Sequence, residues 1–398
     1  MAVHICAHVV HDYPLSNLNR DDLGSPKTVE FGGALRGRTS SQNTKRVARV
    51  RVEERIGERA LRTRRLPSQV AQLLRERGWD EEEAVAAGQA VVMASGIQGL
   101  IIGEGGMTSV MLYVPQQVAQ ELADLVVADR GAVLKVAAHA EAVAKAAADK
   151  TKKTKAPALS KEEKAFVKEL QGRVREILSS RNASIAAFGR MLANSSESTV
   201  DGAVSVAHTL TTHALVEQPD FFTAVDDIPG EDAGSAHMGS AGHTSGTYYR
   251  YGSVNVSELV GNMGGDREAA EEFLRAFLRE LAVLVPTAKQ RNTAPFTPPA
   301  LVYLTVRTDQ PVNLSGAFEA PVTAKAGSGW TAPSIERLDV HAKAVADFFD
   351  KEALAEHGHA GTADLSGVQN LGKRIGSLGD LVELATRRAL ELELESAR

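Results

Sequence analysis

Between Leu18 and Arg49 the chain concentrates side chains suited to holding an anion. Leu18-Asn-Arg-Asp-Asp22 is followed by Lys27, Phe31-Gly-Gly33, Arg36, Arg38, Ser40-Ser-Gln42, Lys45-Arg46 and Arg49. Ser40 or Ser41 is placed to cap a helix running through Lys45, Arg46 and Arg49. Hydroxyls and an amide at a helix start, with cations one turn on, suit a phosphate, because free N–H groups and the helix dipole favour negative charge there. Lys45 and Arg49 are four apart and share a helix face. Spacing alone leaves a second reading open, a solvated basic helix with an ordinary serine cap.

Asp220-Phe-Phe-Thr-Ala-Val-Asp-Asp227 places two adjacent aromatics inside a polar stretch of a chain that is only 5% aromatic. Exposed apolar side chains on a loop can wedge between bases or cover an unstacked base. A loop that tucks both rings into its own core fits the same residues. Met191 and Met238 carry the same two readings, core residue or soft wedge. Lys289-Gln-Arg291 follows a long helix and either complements its dipole or reaches a phosphate.

Catalytic and metal patterns are weaker. Ser41 and Lys45 lack the spacing and companion motifs of a serine–lysine hydrolase. His208 and His213 are five apart, and no acid completes a zinc frame around them or around His237 and His243. Gly103-Glu-Gly-Gly106 lacks the lysine and hydroxyl of a phosphate-binding loop. The paired acids Asp21–Asp22 and Asp226–Asp227 are the remaining metal candidates. Neither a cofactor nor a metal is expected.

The elements that must position these residues follow from periodicity. Ala2–Val10 alternates as a half-buried strand. His11–Gly33 is a polar loop, and Arg59 to about Arg181 is mostly helical. Within it, Leu134–Pro157 is a surface helix or linker with a basic tip at Lys150–Lys155. Strand patterns return at Ala183–Met191, Thr247–Val256 and Leu301–Val306, with a Gly-rich, acid-rich loop from Asn194 to Gly246. Asp266–Val285 is an amphipathic helix, and helices near Ser334–Asp350 and Leu378–Ser396 close the chain. Strands and helices in this order suggest an α+β, ferredoxin-like layout with insertions, the layout of RNA-recognition domains.

The 398 residues carry a net charge of −5, which argues against a nucleic-acid binder if taken whole. The distribution argues otherwise: Lys27–Arg65 holds 12 Lys or Arg against 4 Asp or Glu. The single cysteine, Cys6, excludes an internal disulfide and fits a reducing, cytoplasmic home. No apolar run approaches the roughly 18 residues of a membrane span.

Taken in order, the blocks above resemble the CasC family, the backbone subunits of the type I-E CRISPR Cascade complex. Gly189-Arg-Met191, Val200-Asp-Gly-Ala203, Ala207-His208, Thr211-Thr-His213, Phe222-Thr-Ala-Val-Asp-Asp227, Gly234-Ser-Ala-His237, Tyr248-Tyr-Arg-Tyr251, Ala288-Lys-Gln-Arg291 and Ala317-Phe-Glu319 extend the resemblance. It covers about Ala2–Glu58 and Ile185–Glu336. It implies a hand-shaped, non-catalytic subunit with an RNA-recognition-like palm (1–58, 182–193 and 244–350), a helical fingers insertion (59–181), a protruding thumb loop (194–243) and a C-terminal helical segment (351–398). About six copies would stack along the spacer of the CRISPR RNA, which pairs with target DNA while the protein reads backbone. Other Cascade subunits and a recruited helicase-nuclease would be further partners. The implied phosphate contacts are Arg20, Lys27, Ser40, Gln42, Lys45 and Arg49, with Lys289 and Arg291 as additional candidates. The implied base-kinking set is Met191, Phe221, Phe222, Thr223, Val225 and Met238.

Overall fold

The computed structural model describes residues 2–97, 100–136, 139, 160–191, 198–225, 235–324, 327 and 329–397. Most of Leu134–Pro157, and both Asp226 and Asp227, lie outside that set. The described chain divides into two compact units, Met1–Ile56 with Ala203–Arg398, and Gly57–Gly202.

The first unit is built on β1 (His4–Ser16). Its neighbours in the sheet are β9 (Ser235–Asn255) and β10 (Leu301–Arg307), both antiparallel to it. The sheet continues beyond β10 through β11 (Leu354–Ala360) to β12 (Lys373–Arg374). On the other side β9 is joined by β6 (Val204–Val206), β7 (Thr209–Thr211) and β8 (Gln218–Val225), and β7 leads through β3 (Ala34–Thr39) to β2 (Thr28–Phe31).

Side-chain alternation gives the sheet two different faces. Ile5, Ala7 and Val9 share one face with Val254, Gly252 and Arg250 and with Val306, Leu304 and Val302. Leu281, from the Arg267–Val283 helix, lies against Gly252 so closely that a Cβ there would meet it at 2.7 Å. This helix also packs on the Ser41–Ile56 helix. Arg250 is fully buried on this face and donates to the carbonyls of Leu281 (2.7 Å) and Leu284 (2.9 Å), satisfying groups the helix end leaves orphaned. The opposite face presents Cys6, Val10, Tyr249, Tyr251 and Tyr303. The Thr331–Phe348 helix covers it with Ile335, Leu338 and Ala342, joined by Leu365 and Leu371.

Several expectations change here. Ala2–Val10 is not half-buried, because both faces of β1 are covered; His4, His8 and His11 are interior. His11–Gly33 is only partly loop: β1 runs on to Ser16, and β2 and β3 form a hairpin across Gly32 and Gly33. Both glycines have positive φ, and a Cβ on Gly32 would strike the Glu319 carbonyl oxygen at 1.7 Å. The segment after Asp350 is not purely helical. It supplies β11 and β12 before the Leu378–Ser396 helix. The stretch before Gly246 is not loop throughout, because β9 begins at Ser235 and forms a long hairpin with β8. Asp266 caps its helix as expected, accepting from the Ala269 N–H at 3.0 Å.

The second unit packs the helices Leu66–Glu76, Glu81–Met93, Val118–Ala128 and Lys161–Ser179 around Val70, Leu74, Val91, Leu122 and Val174, beside the ribbon of β4 (Ala60–Thr63) and β5 (Leu112–Pro115). Ala183–Phe188 belongs here and is a helix rather than a strand. Asn182 caps it by accepting from the Ile185 N–H (3.1 Å), and Gly189 ends it at φ 80°. Arg190 is buried and donates to the carbonyls of Ser179, Ser180 and Ser198, and burial lowers its pKa to about 10.

Burial holds both His8 and His11 down to about 3, with the positive charges of Arg307 and Arg250 acting in the same direction. Their pKa is lower folded than unfolded, so unfolding takes up protons below about 6.5, and stability is complete above that pH and lost as pH falls toward 3. Each histidine should contribute a slope of about 1.4 kcal/mol per pH unit in that window. Denaturant melts at pH 7 and pH 5 check this. A His8→Gln variant should show the shallower dependence.

Candidate nucleic-acid interface

Ser40 is the cap of the Ser41–Ile56 helix. Its backbone carbonyl accepts from the Thr44 N–H (3.1 Å), and its Oγ accepts from the Asn43 N–H (3.4 Å). Asn19 Oδ1 in turn accepts from the Ser40 N–H (3.0 Å). The helix start is therefore tied to the preceding loop, which brings Arg20 and Lys27 with it. Lys27 is joined by backbone bonds to Asn19 and to Arg38, each 2.8 Å. Arg20 is exposed, pairing with Pro26 across that loop.

His208, from the turn between β6 and β7, completes this corner. Its Nδ1 accepts from the Ser41 N–H at 3.2 Å and lies 3.4 Å from Arg38 Nη1. Partial burial lowers its pKa, and the positive charges of Arg38 and Lys27 lower it further. Arg38 and Lys27 thus both place positive charge close to His208, at the same corner as the helix start.

The cations of the segment are not equivalent. Arg36 is fully buried and donates to the carbonyls of Thr211 (3.1 Å), Phe318 (3.0 Å) and Glu319 (2.9 Å); it is a structural clamp and no part of the basic surface. Lys45 is half-buried and directs Nζ to the Val204 carbonyl (3.0 Å), and burial lowers its pKa. An ammonium has three donors, so this bond leaves two. Arg49 pairs with Glu53 at 2.7 Å, an engagement that a phosphate would have to share. Gln42 is exposed on the first turn. Lys289 and Arg291 belong to the short Gln290–Thr293 helix, Lys289 as its N-cap, and that helix packs against β1.

The β8–β9 hairpin resolves the two phenylalanines. Phe221 is opposite Ser240, Phe222 opposite Gly239, and Thr223 opposite Met238. Directly opposed residues share a face, so Phe221, Thr223 and Met238 project to one side and Phe222 to the other. The Phe222 ring lies over Gly239, where a Cβ would approach it to 2.6 Å. Phe221 and Met238 are 66% and 62% exposed, Phe222 42%. The reading in which both rings retreat into a core is therefore excluded. Val225 ends β8. Met191, 88% exposed, belongs to the second unit.

Two of the residues weighed as metal ligands, His213 and Asp21, have other roles. His213 stacks on Trp330 with ring centroids 3.8 Å apart, and its Nε2 accepts from the Thr247 N–H. Asp21 Oδ1 accepts from the Leu23 and Ser25 N–H groups and folds its own loop. Among the described residues no group of three or more His, Cys, Asp or Glu is placed to hold a metal ion, and no helix is long and apolar enough to cross a membrane. Sequence reasoning gave Arg38 and His208 no individual role. Ala207-His208 lies far from Ser41 in the chain, and the β3–β7 pairing brings them together.

The first unit is thus an α+β domain in which a mixed sheet carries a cationic helix start and an exposed apolar hairpin. The chain belongs to the CT1975-like protein family, whose model matches residues 5–383. It is similar along nearly its whole length to a chain of a solved "CRISPR RNA-guided surveillance complex, pre-nicking", at 39% identity and a TM-score of 0.79, covering 97% of this chain and 100% of that one. A chain of a second "CRISPR RNA-guided surveillance complex" is 33% identical with a TM-score of 0.73, covering 96% and 99%. Among curated protein sequences none matches.

Arg38→Ala and Lys45→Ala should each weaken single-stranded RNA binding at every sequence and reduce the salt slope by about 1. Arg36→Ala should leave that slope unchanged while lowering stability by about 3 kcal/mol, because it orphans three buried carbonyls. Binding titrations across salt, paired with denaturant melts, separate the two behaviours.

Proposed function

We propose that this chain is a non-catalytic, guide-RNA-binding backbone subunit of a type I-E CRISPR Cascade complex. The observation that carries the reading is the pairing, within one unit, of a cationic helix start with a hairpin displaying Phe221 and Met238 to solvent. The whole-chain similarity to subunits of RNA-guided surveillance complexes supports it.

On this reading the first unit is an RNA-recognition-like palm. The antiparallel order β10-β1-β9-β6, with the Ser41–Ile56 helix between β1 and β6 and the Arg267–Val283 helix between β9 and β10 in the chain, supports a ferredoxin-like arrangement. RNA-recognition domains commonly stack bases on sheet aromatics. Here Tyr249, Tyr251 and Tyr303 are interior, so the guide runs along the rim. Arg20, Lys27, Arg38, Ser40, Gln42, Lys45 and His208 hold its phosphates, with Arg49 sharing its Glu53 pair. The β8–β9 hairpin is the thumb, and Phe221, Thr223 and Met238 press on a nucleotide from one face. Successive copies, about six, repeat the grip along the spacer, and the exposed guide bases pair with target DNA in the cytoplasm. Other Cascade subunits and a helicase-nuclease complete the assembly. On this reading the subunit cuts nothing, which is supported by Asp21, one of the acids that metal-dependent cleavage would use, whose Oδ1 serves its own loop.

Recovering the protein from cells and sequencing its bound RNA tests the reading. Short RNAs with a repeat-derived end are the expected result, and bulk RNA of no common origin would overturn it. Incubating the assembly with complementary RNA and magnesium should leave that RNA intact. Phe221→Ser should keep guide occupancy but flatten the periodic pattern of nucleotide reactivity along the guide, which chemical probing measures.

A further inference from the structure

The loop from Asn17 to Lys27 joins the helix start to the hairpin, and it does so through two asparagines. Asn19 holds the Ser40 cap, as described above. Asn17 is fully buried, and its Nδ2 donates both to the Gly24 carbonyl (3.1 Å) within the loop and to the Gly242 carbonyl (2.9 Å) on β9. Gly242 is opposite Pro219, at the root of the β8–β9 hairpin. That root is tightly fitted: a Cβ on Gly242 would stand 2.1 Å from Glu217 Oε1 and 2.8 Å from Pro26 Cδ. One side chain therefore bridges the loop that carries Arg20 and Lys27 to the strand that carries Met238.

We propose that Asn17 is a positioning residue that fixes the hairpin root against the phosphate-holding loop, and so sets where the hairpin's apolar face falls relative to the bound backbone. The inference rests on the reading of the chain as a guide-RNA binder. Its mechanical part does not. Two convergent acceptors require a two-donor amide at this position. Aspartate has the same shape but offers no donor and would set a carboxylate against two carbonyls. A second copy of the chain is not needed for this joint, since every atom in it belongs to one unit.

Asn17→Asp in the full-length protein tests it in two arms. In the RNA-free protein, hydrogen exchange at the paired amides of 238–243 should accelerate about tenfold, while β10 and the Arg267–Val283 helix keep their protection. In the guide-bound assembly, the salt slope should match that of the parent while the contrast between kinked and intervening nucleotides falls about threefold. Unchanged exchange at 238–243 would overturn the proposal. Should Asn17→Asp lose protection everywhere, Gly242→Ala disturbs the same joint from the β9 side. A normal melting temperature with an unaltered reactivity pattern in that variant would equally overturn it. A parent assembly with uniform guide reactivity would refute the guide-kinking reading instead, leaving the exchange arm to decide whether Asn17 holds the hairpin.

Discussion

The register of β1 against β9 is the constraint on which the rest of this unit depends. It runs from His4 opposite Asn255 to Ser16 opposite Thr244, with one irregularity between Tyr13 and Ser16. Because side chains alternate, a slip of one residue would turn Ile5, Ala7 and Val9 onto the aromatic face and put His4, Cys6 and His8 under the helices. Both faces are buried, so neither misplacement is tolerable. The same register delivers the end of β1 to the point where β9 leaves the sheet for the hairpin. The Asn17–Lys27 loop and the hairpin root meet there because the strand pairing leaves them no other place.

Buried arginines show why a charge count overstates a binding surface. Arg36, Arg190 and Arg250 each spend their guanidinium on backbone carbonyls inside a core. They knit turns and helix ends that lack regular partners, a role that a planar fork of five donors performs better than an ammonium. What remains at the surface is a smaller set around the helix start, where the helix dipole adds to the positive potential. A net negative chain can therefore present a concentrated positive corner.

Much of this was legible in the residues. The Ser40 cap, the Asp266 cap, the strand over Leu301–Val306 and the closing Leu378–Ser396 helix follow from local rules, because a cap or an amphipathic stripe is a property of neighbours in sequence. Misreadings came where long-range contacts decide. Ala183–Phe188 is a short alanine-rich helix whose Asn182 cap outweighed a strand-like pattern. The outer half of β9 has mostly small and polar residues and pairs with β8 alone, off the main strand path, so no alternation marks it. His8 looked solvent-facing because the layer covering its face comes from far along the chain, from Leu314, Phe318 and the Thr331–Phe348 helix. Arg38 and His208 acquire a joint role only through the pairing of β3 with β7.

The central claim is that nucleotide bases meet the β8–β9 hairpin and not the aromatic face of the sheet. Ultraviolet cross-linking of the guide-bound assembly, with peptides mapped by mass spectrometry, tests it most directly. The account predicts base adducts at Phe221 or Met238 and none at Tyr249, Tyr251 or Tyr303 beneath the Thr331–Phe348 helix. Adducts on those tyrosines, with the hairpin unmodified, would contradict it.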